Sequence, residues 1–165
     1  MTTATKTAPK TAATPKTPPA AKDAIALLKA DHETVSGLFA EYEKTRSVAK
    51  KKALVAEICT ELSVHAQIEE EIFYPKVKAA VKDTELVAEA TVEHAGVKGL
   101  IAVLEGLEPD GEMYDAKVKV LSEYVKHHVK EEQNEMFPKA KATSLDLVEL
   151  GARMTARKAE LLATR

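Results

Sequence analysis

Tryptophan is absent, cysteine occurs once, and glycine is scarce, at six residues in 165. A single thiol, Cys59, excludes an internal disulfide and a zinc site of paired cysteines, and it suits a reducing cytosol. No glycine-rich loop is present to cradle a phosphate. No serine lies near a histidine that faces inward, so no nucleophile triad is indicated. No apolar run approaches the roughly 20 residues of a membrane span. The N-terminus lacks the apolar stretch of a secretory signal. These absences predict a cytoplasmic chain without membrane association.

Apolar residues make up 45% of the chain and charged residues 30%, a globular balance with a well-solvated surface. Ala, Lys, Glu, Val and Leu dominate, and that mixture favours helix. The formal charge is -2. It is unevenly spread, because residues 1–22 carry four Lys and no acid. The remainder is acidic and predicts no nucleic-acid partner. Residues 1–22 are Thr, Ala, Pro and Lys with almost nothing to bury, and so read as a disordered, solvated tail rather than a basic arm.

From Asp23 onward the apolar residues follow the three-and-four spacing of helix faces. Ile25, Leu28, Val35 and Phe39 mark a first helix over 23–46. Leu54, Ile58, Leu62 and Ile72 mark a second over 48–80. Val87, Ala90, Val97, Ile101 and Leu104 mark a third over 84–107, and Val118, Leu121, Val125 and Met136 a fourth over 113–141. A weaker amphipathic segment covers 144–163. Asp83 is placed to cap the third helix, and Glu108-Pro109-Asp110-Gly111 reads as a turn. Pro75 and Pro138 are expected to kink or end their helices. No strand pattern is present. The fold class is therefore all-α: helices joined by short loops, packed as antiparallel neighbours over 23–141, with a further helix in 142–165.

The two halves repeat. A shift of 62 carries Ile25, Leu28, His32, Val35 and Phe39 onto Val87, Ala90, His94, Val97 and Ile101. A shift of 63 carries His65, Glu69 and Phe73-Tyr74-Pro75 onto His128, Glu132 and Met136-Phe137-Pro138. Two similar helix pairs can place a site on their pseudo-symmetry axis.

At about 100° per residue, with Leu54 at zero, His65 lies near 20° and Glu69 near 60°, inside the apolar stripe. From Val118, His128 lies near -80° and Glu132 near -40°, whereas His127 falls near 180°, on the wet face. His32 and His94 lie beside the stripes of the first and third helices. Asp31 and Glu93 are rotated about 100° away and read as rim residues. Glu70, Glu71, Glu131 and Glu135 read as a solvated acidic face. Glu61 and Tyr124, one turn before His65 and His128, are expected to point inward and to orient an imidazole or relay a proton, Glu61 even as an extra ligand; otherwise Tyr124 is ordinary core and Glu61 reaches solvent. Cys59 reads as packing.

A carboxylate in an apolar stripe is costly unless paired or bound to metal. Two of them repel each other unless cations intervene. Four imidazoles and two carboxylates suit iron. Two His per ion, with both Glu shared, leaves an open position on each for dioxygen, peroxide or nitric oxide.

The segments LLKADHETVSGLF, HAQIEEEIFYP, EATVEHAGVKGLI and HHVKEEQNEMFP, in this order, resemble hemerythrin-like proteins of the HHE cation-binding family over roughly residues 23–140. The resemblance implies an up-down-up-down four-helix bundle with a non-heme di-iron centre. The ligands would be His32, His65, Glu69, His94, His128 and Glu132, around two iron ions bridged by oxo, hydroxo or carboxylate groups. Oxygen-carrying hemerythrins have a fifth histidine four residues after the one matching His94; this chain has Lys98 there, and Ser36 at the equivalent place after His32. That departure turns the expectation away from oxygen carriage. The resulting expectation is a monomer or weak oligomer that binds a small molecule. Catalase- or peroxidase-like turnover of hydrogen peroxide is the first reading. Sensing or carriage of dioxygen, nitric oxide or iron without turnover is the alternative, and a metal-free bundle is the third.

Overall fold

The computed structural model describes residues 22–165, so the expected disordered tail lies outside the described residues apart from Lys22. Helices α1 (Ala24–Lys44), α2 (Val48–Ile68), α3 (Tyr74–Ala80), α4 (Thr84–Glu105), α5 (Glu112–Glu131), α6 (Phe137–Lys141) and α7 (Leu147–Ala163) make up the fold. Two π-helical segments, Glu69–Phe73 and Glu132–Met136, join α2 to α3 and α5 to α6 without a break. The result is four antiparallel rods in an up-down-up-down bundle, with α7 packed on α1 and α2. Among the described residues there is no strand, and no helix is long and apolar enough to cross a membrane.

The rods start and stop for local reasons. Asp23 caps α1 by accepting from the Ala26 N–H, and Ser47 caps α2 by accepting from the Lys50 N–H. Asp83 stands at the N-cap of α4, with its carboxylate held by Lys139 at 2.7 Å. Gly111 turns the chain into α5 at φ 144°, a backbone region open to glycine.

Pro75 and Pro138 do not end their rods. Each follows a π-helical turn, in which the Tyr74 N–H bonds Glu69 O and the Phe137 N–H bonds Glu132 O, five residues back. A proline ring collides with the carbonyl four residues back in a regular α-helix, and a widened turn relieves that collision.

The core divides into two apolar clusters. One gathers Ile25, Leu28, Ile68, Phe73, Val87 and Phe137 with Leu150 and Met154 of α7. The other gathers Val35, Phe39, Ile58, Cys59, Ile101 and Leu121. A polar layer of histidines and glutamates lies between them.

Gly151 is where α7 meets the start of α1. A Cβ there would stand 2.7 Å from Ala24 N and from Asp23 C, and closer still to Lys22 O. These are backbone atoms, which cannot rotate away. Gly151→Val is expected to destabilise the fold by about 1–3 kcal/mol through overpacking, with helix propensity returning only about a few tenths. A lower thermal midpoint measures it, and an unchanged midpoint contradicts the close approach.

Candidate metal centre

Each rod contributes to one buried layer. His32 comes from α1, His65 from α2, His94 from α4 and His128 from α5, while Glu69 and Glu132 open the two π-helical segments. All six are between 0 and 7% exposed. Their inward atoms converge. His65 Nε2 lies 3.1 Å from Glu69 Oε1, and His94 Nε2 lies 3.1 Å from Glu69 Oε2. His32 Nε2 lies 3.2 Å from Glu132 Oε2, and His128 Nε2 lies 3.4 Å from Glu132 Oε1. Each carboxylate thus turns one oxygen to each histidine pair. The convergent ligand atoms form two groups: His32, His65, Glu69 and Glu132, and then Glu69, His94 and His128.

The outward ring nitrogens are held by residues that single-helix angles misplace. Asp31 is not a rim residue: it is buried, with Oδ2 3.2 Å from His65 Nδ1. Glu93 reaches His128 Nδ1 at 2.6 Å. Glu70, expected on a solvated face, lies 2.9 Å from His94 Nδ1 and is anchored by Lys98 at 2.7 Å. The Gln133 amide lies 3.0 Å from His32 Nδ1. In every case the partner sits on a rod other than the histidine's own, so the angle on one helix carries no sign of it. These contacts fix Nδ1 outward and turn Nε2 to the interior, as in carboxylate–histidine–metal arrangements.

Tyr74 was not singled out from the sequence, yet its hydroxyl enters this layer. It donates to Glu132 Oε1 at 2.7 Å and lies 3.2 Å from both Glu69 Oε2 and His94 Nε2, and 3.3 Å from His128 Nε2. In a regular helix Tyr74 would be about 140° from Glu69. The π-helical turn, whose hydrogen bonds run five residues back, brings Tyr74 round to the Glu69 side. Its repeat partner Phe137 stacks on His32, with ring centroids 6.0 Å apart. The proline one residue further on was the available signal for a disturbed turn.

Tyr124 and Glu61 do not orient an imidazole. Tyr124 is 51% exposed and rests against Gly96, because α5 presents it on the flank rather than the stripe. Glu61 sits under α7, with Oε2 3.6 Å from Lys158 Nζ. His127 faces outward, between Glu93 and Glu131.

The charges of the layer are mutually dependent. Burial favours the neutral form of Glu69, but His65 and His94 outweigh it and hold the carboxyl well below its usual range. Burial likewise opposes charge on His65, yet the Glu69 charge and the Asp31 hydrogen bond push it to about 10. His128 is pushed to about 9, burial being outweighed by Glu132 and Glu69. Protonated imidazoles therefore balance the carboxylates in metal-free protein.

His32 Nε2, His65 Nε2, Glu69 Oε1 and Glu132 Oε2 are nevertheless buried without a hydrogen-bond partner, close together but out of line for one. Buried nitrogen and oxygen atoms are seldom left unsatisfied, and a cation among them would complete all four. The donor set, imidazole with carboxylate, fits iron.

A pH dependence follows. Both imidazole values lie above the roughly 6.5 of a free histidine. Their protons stabilise the metal-free fold fully below about pH 6.5, and that contribution is lost as pH rises through about 9 to 10. A metal must displace the same protons. Ferrous affinity is expected to rise between pH 6 and 8 by about tenfold per unit for each proton released. Anaerobic titration at several pH values measures it; a pH-independent affinity contradicts the balance described.

An all-helical bundle with a buried layer of four histidines and two glutamates defines a class of cation-binding bundles. The hemerythrin HHE cation-binding domain matches residues 23–140, and the chain belongs to that family. It is similar to the crystal structure of an HHE domain protein from Mycobacterium kansasii, a homologue of Rv2633c, with TM-score 0.74 and 28% identity over 87% of this chain and 89% of that one. The uncharacterised protein Rv2633c of Mycobacterium tuberculosis is 27% identical over 139 residues, 82% of this chain and 84% of that protein. A DNA nickase of Nostoc is 26% identical over 111 residues, 67% of this chain. The matched stretch is only 31% of the nickase's length.

Proposed function

We propose that the chain binds two iron ions in this layer and uses them to bind and turn over a small oxidant, hydrogen peroxide above all. His32 and His65 hold one ion, His94 and His128 the other, and Glu69 and Glu132 are shared. The carrying observation is a set of orphaned, inward-facing ligand atoms beside a small apolar cavity. That cavity has a volume of about 30 Å³ and lies against all four histidines, walled by Val35, Leu62, Val97 and Val125. It suits a molecule of a few atoms and excludes organic substrates. Bound iron would supply redox equivalents and open positions for such a ligand. The protein's residues orient the imidazoles, keep bulk water out, and hold a proton at the Tyr74 hydroxyl beside Glu132. Disproportionation needs no outside reductant, since two hydrogen peroxide molecules give one dioxygen and two waters.

The test is iron content after anaerobic loading, followed by oxygen evolution from hydrogen peroxide. Two irons per chain and a rate well above that of free iron support the reading. Two irons with a stable ligand-bound spectrum and no turnover would replace it with sensing or carriage of dioxygen or nitric oxide.

A further inference from the structure

Two equivalent carboxylates of the metal layer, Asp31 and Glu93, differ by one cation. Asp31 and Glu93 are equivalent under the internal repeat, and each holds the Nδ1 of a histidine on the neighbouring rod. Asp31 spends its second oxygen on α7: Lys158 Nζ lies 2.6 Å from Oδ1, while Oδ2 faces His65. Glu61 Oε2 lies 3.6 Å from the same ammonium. Glu93 meets no lysine or arginine among the described residues; its second oxygen faces exposed His127.

Lys158 is placed by its helix. Leu150, Met154 and Lys158 follow one another at intervals of four along α7, and the first two are buried against α1 and the α2–α3 rod. That face carries the ammonium down to a carboxylate only 5% exposed. A long apolar stem with a cationic tip suits such a reach. The helix lies beyond residues 23–140, the span that the family domain matches.

Resting on the two-iron reading above, we propose that Lys158 is a positioning residue for the His32/His65 metal position, so that docking of α7 sets the two positions apart in affinity. The ammonium pins one carboxylate oxygen of Asp31 and leaves the other aimed at His65 Nδ1. Without it one buried oxygen of Asp31 has no partner, the carboxylate turns to find one, and the His65 ring loses its anchor.

The experiment is anaerobic titration of the full-length protein with ferrous iron, resolving two equivalents, alongside thermal midpoints. Lys158→Met is expected to weaken one equivalent by about tenfold or more, the usual effect of losing an outer partner of a ligating histidine. The other equivalent should be unchanged, and Lys158→Arg should restore the first. His65→Ala identifies the affected equivalent, because it removes the same one. Arg157→Met breaks the ion pair of α7 with Glu71, at 2.7 Å, and serves as the control for a loosened helix. It is expected to leave both affinities alone. Wild-type affinities in Lys158→Met, or equal weakening of both equivalents in Lys158→Met and Arg157→Met alike, overturns the proposal. Wild-type protein that binds no iron overturns the two-iron reading itself, and this inference with it.

Discussion

Glu69→Ala is expected to abolish loading of both metal positions, whereas His65→Ala and His94→Ala should each abolish one. Glu69 belongs to both groups of convergent ligand atoms, one oxygen facing His65 and the other His94. Its removal withdraws a ligand from each position and also the negative charge that offsets two cations. At metal concentrations about a hundredfold above Kd, binding adds about 2.7 kcal/mol to stability. Iron should therefore raise the thermal midpoint of wild-type protein clearly, that of the histidine variants less, and that of Glu69→Ala not at all. Glu69→Gln separates ligation from packing, since it keeps nearly the same volume in a fully buried place. It keeps the core filled but removes the charge that holds the His65 proton, so the metal-free fold should lose the stability that this proton contributes. Retention of two irons by either Glu69 variant would show that this carboxylate is no shared ligand.

Much of this layer is legible in the sequence, for a physical reason. Polar residues inside an apolar stripe stand out at 3.6 residues per turn, and one residue of offset is enough to separate buried His128 from exposed His127. The four rods are legible for the same reason. What lies outside that reach depends on contacts between rods or on departures from α-helical geometry. Asp31 and Glu93 look like rim positions when their own helices are viewed alone, and become anchors only once the neighbouring histidine is in place. Tyr124 shows the converse: one turn from His128 along the chain, it ends on the surface. The role of α7 was illegible because its amphipathic pattern says that a face is buried, not that Lys158 on that face meets Asp31.

Tyr74 marks the difference between the two halves that bears most directly on chemistry. The repeat places Phe137 opposite it, so the layer has a phenol at one end and a phenyl ring at the other. Burial, and then the charges of Glu69 and Glu132, push the phenol well above its usual range. It therefore stays neutral and keeps its proton at ordinary pH. Any reduction of peroxide to water needs protons delivered inside a layer that excludes bulk water, and this hydroxyl donates directly to Glu132 Oε1. Tyr74→Phe keeps the ring and its packing against Phe73 and His94 while removing the proton. It is expected to retain two irons yet lose about a hundredfold in peroxide turnover, the lower range for losing a positioned proton donor. Phe137→Tyr in the same background should not rescue the rate, since that ring stacks on His32 at the other end of the layer. Iron content and oxygen evolution measured on the same samples decide it. An unchanged rate at full iron loading would make the Tyr74 hydroxyl a structural hydrogen bond to Glu132 and leave proton delivery to the carboxylates.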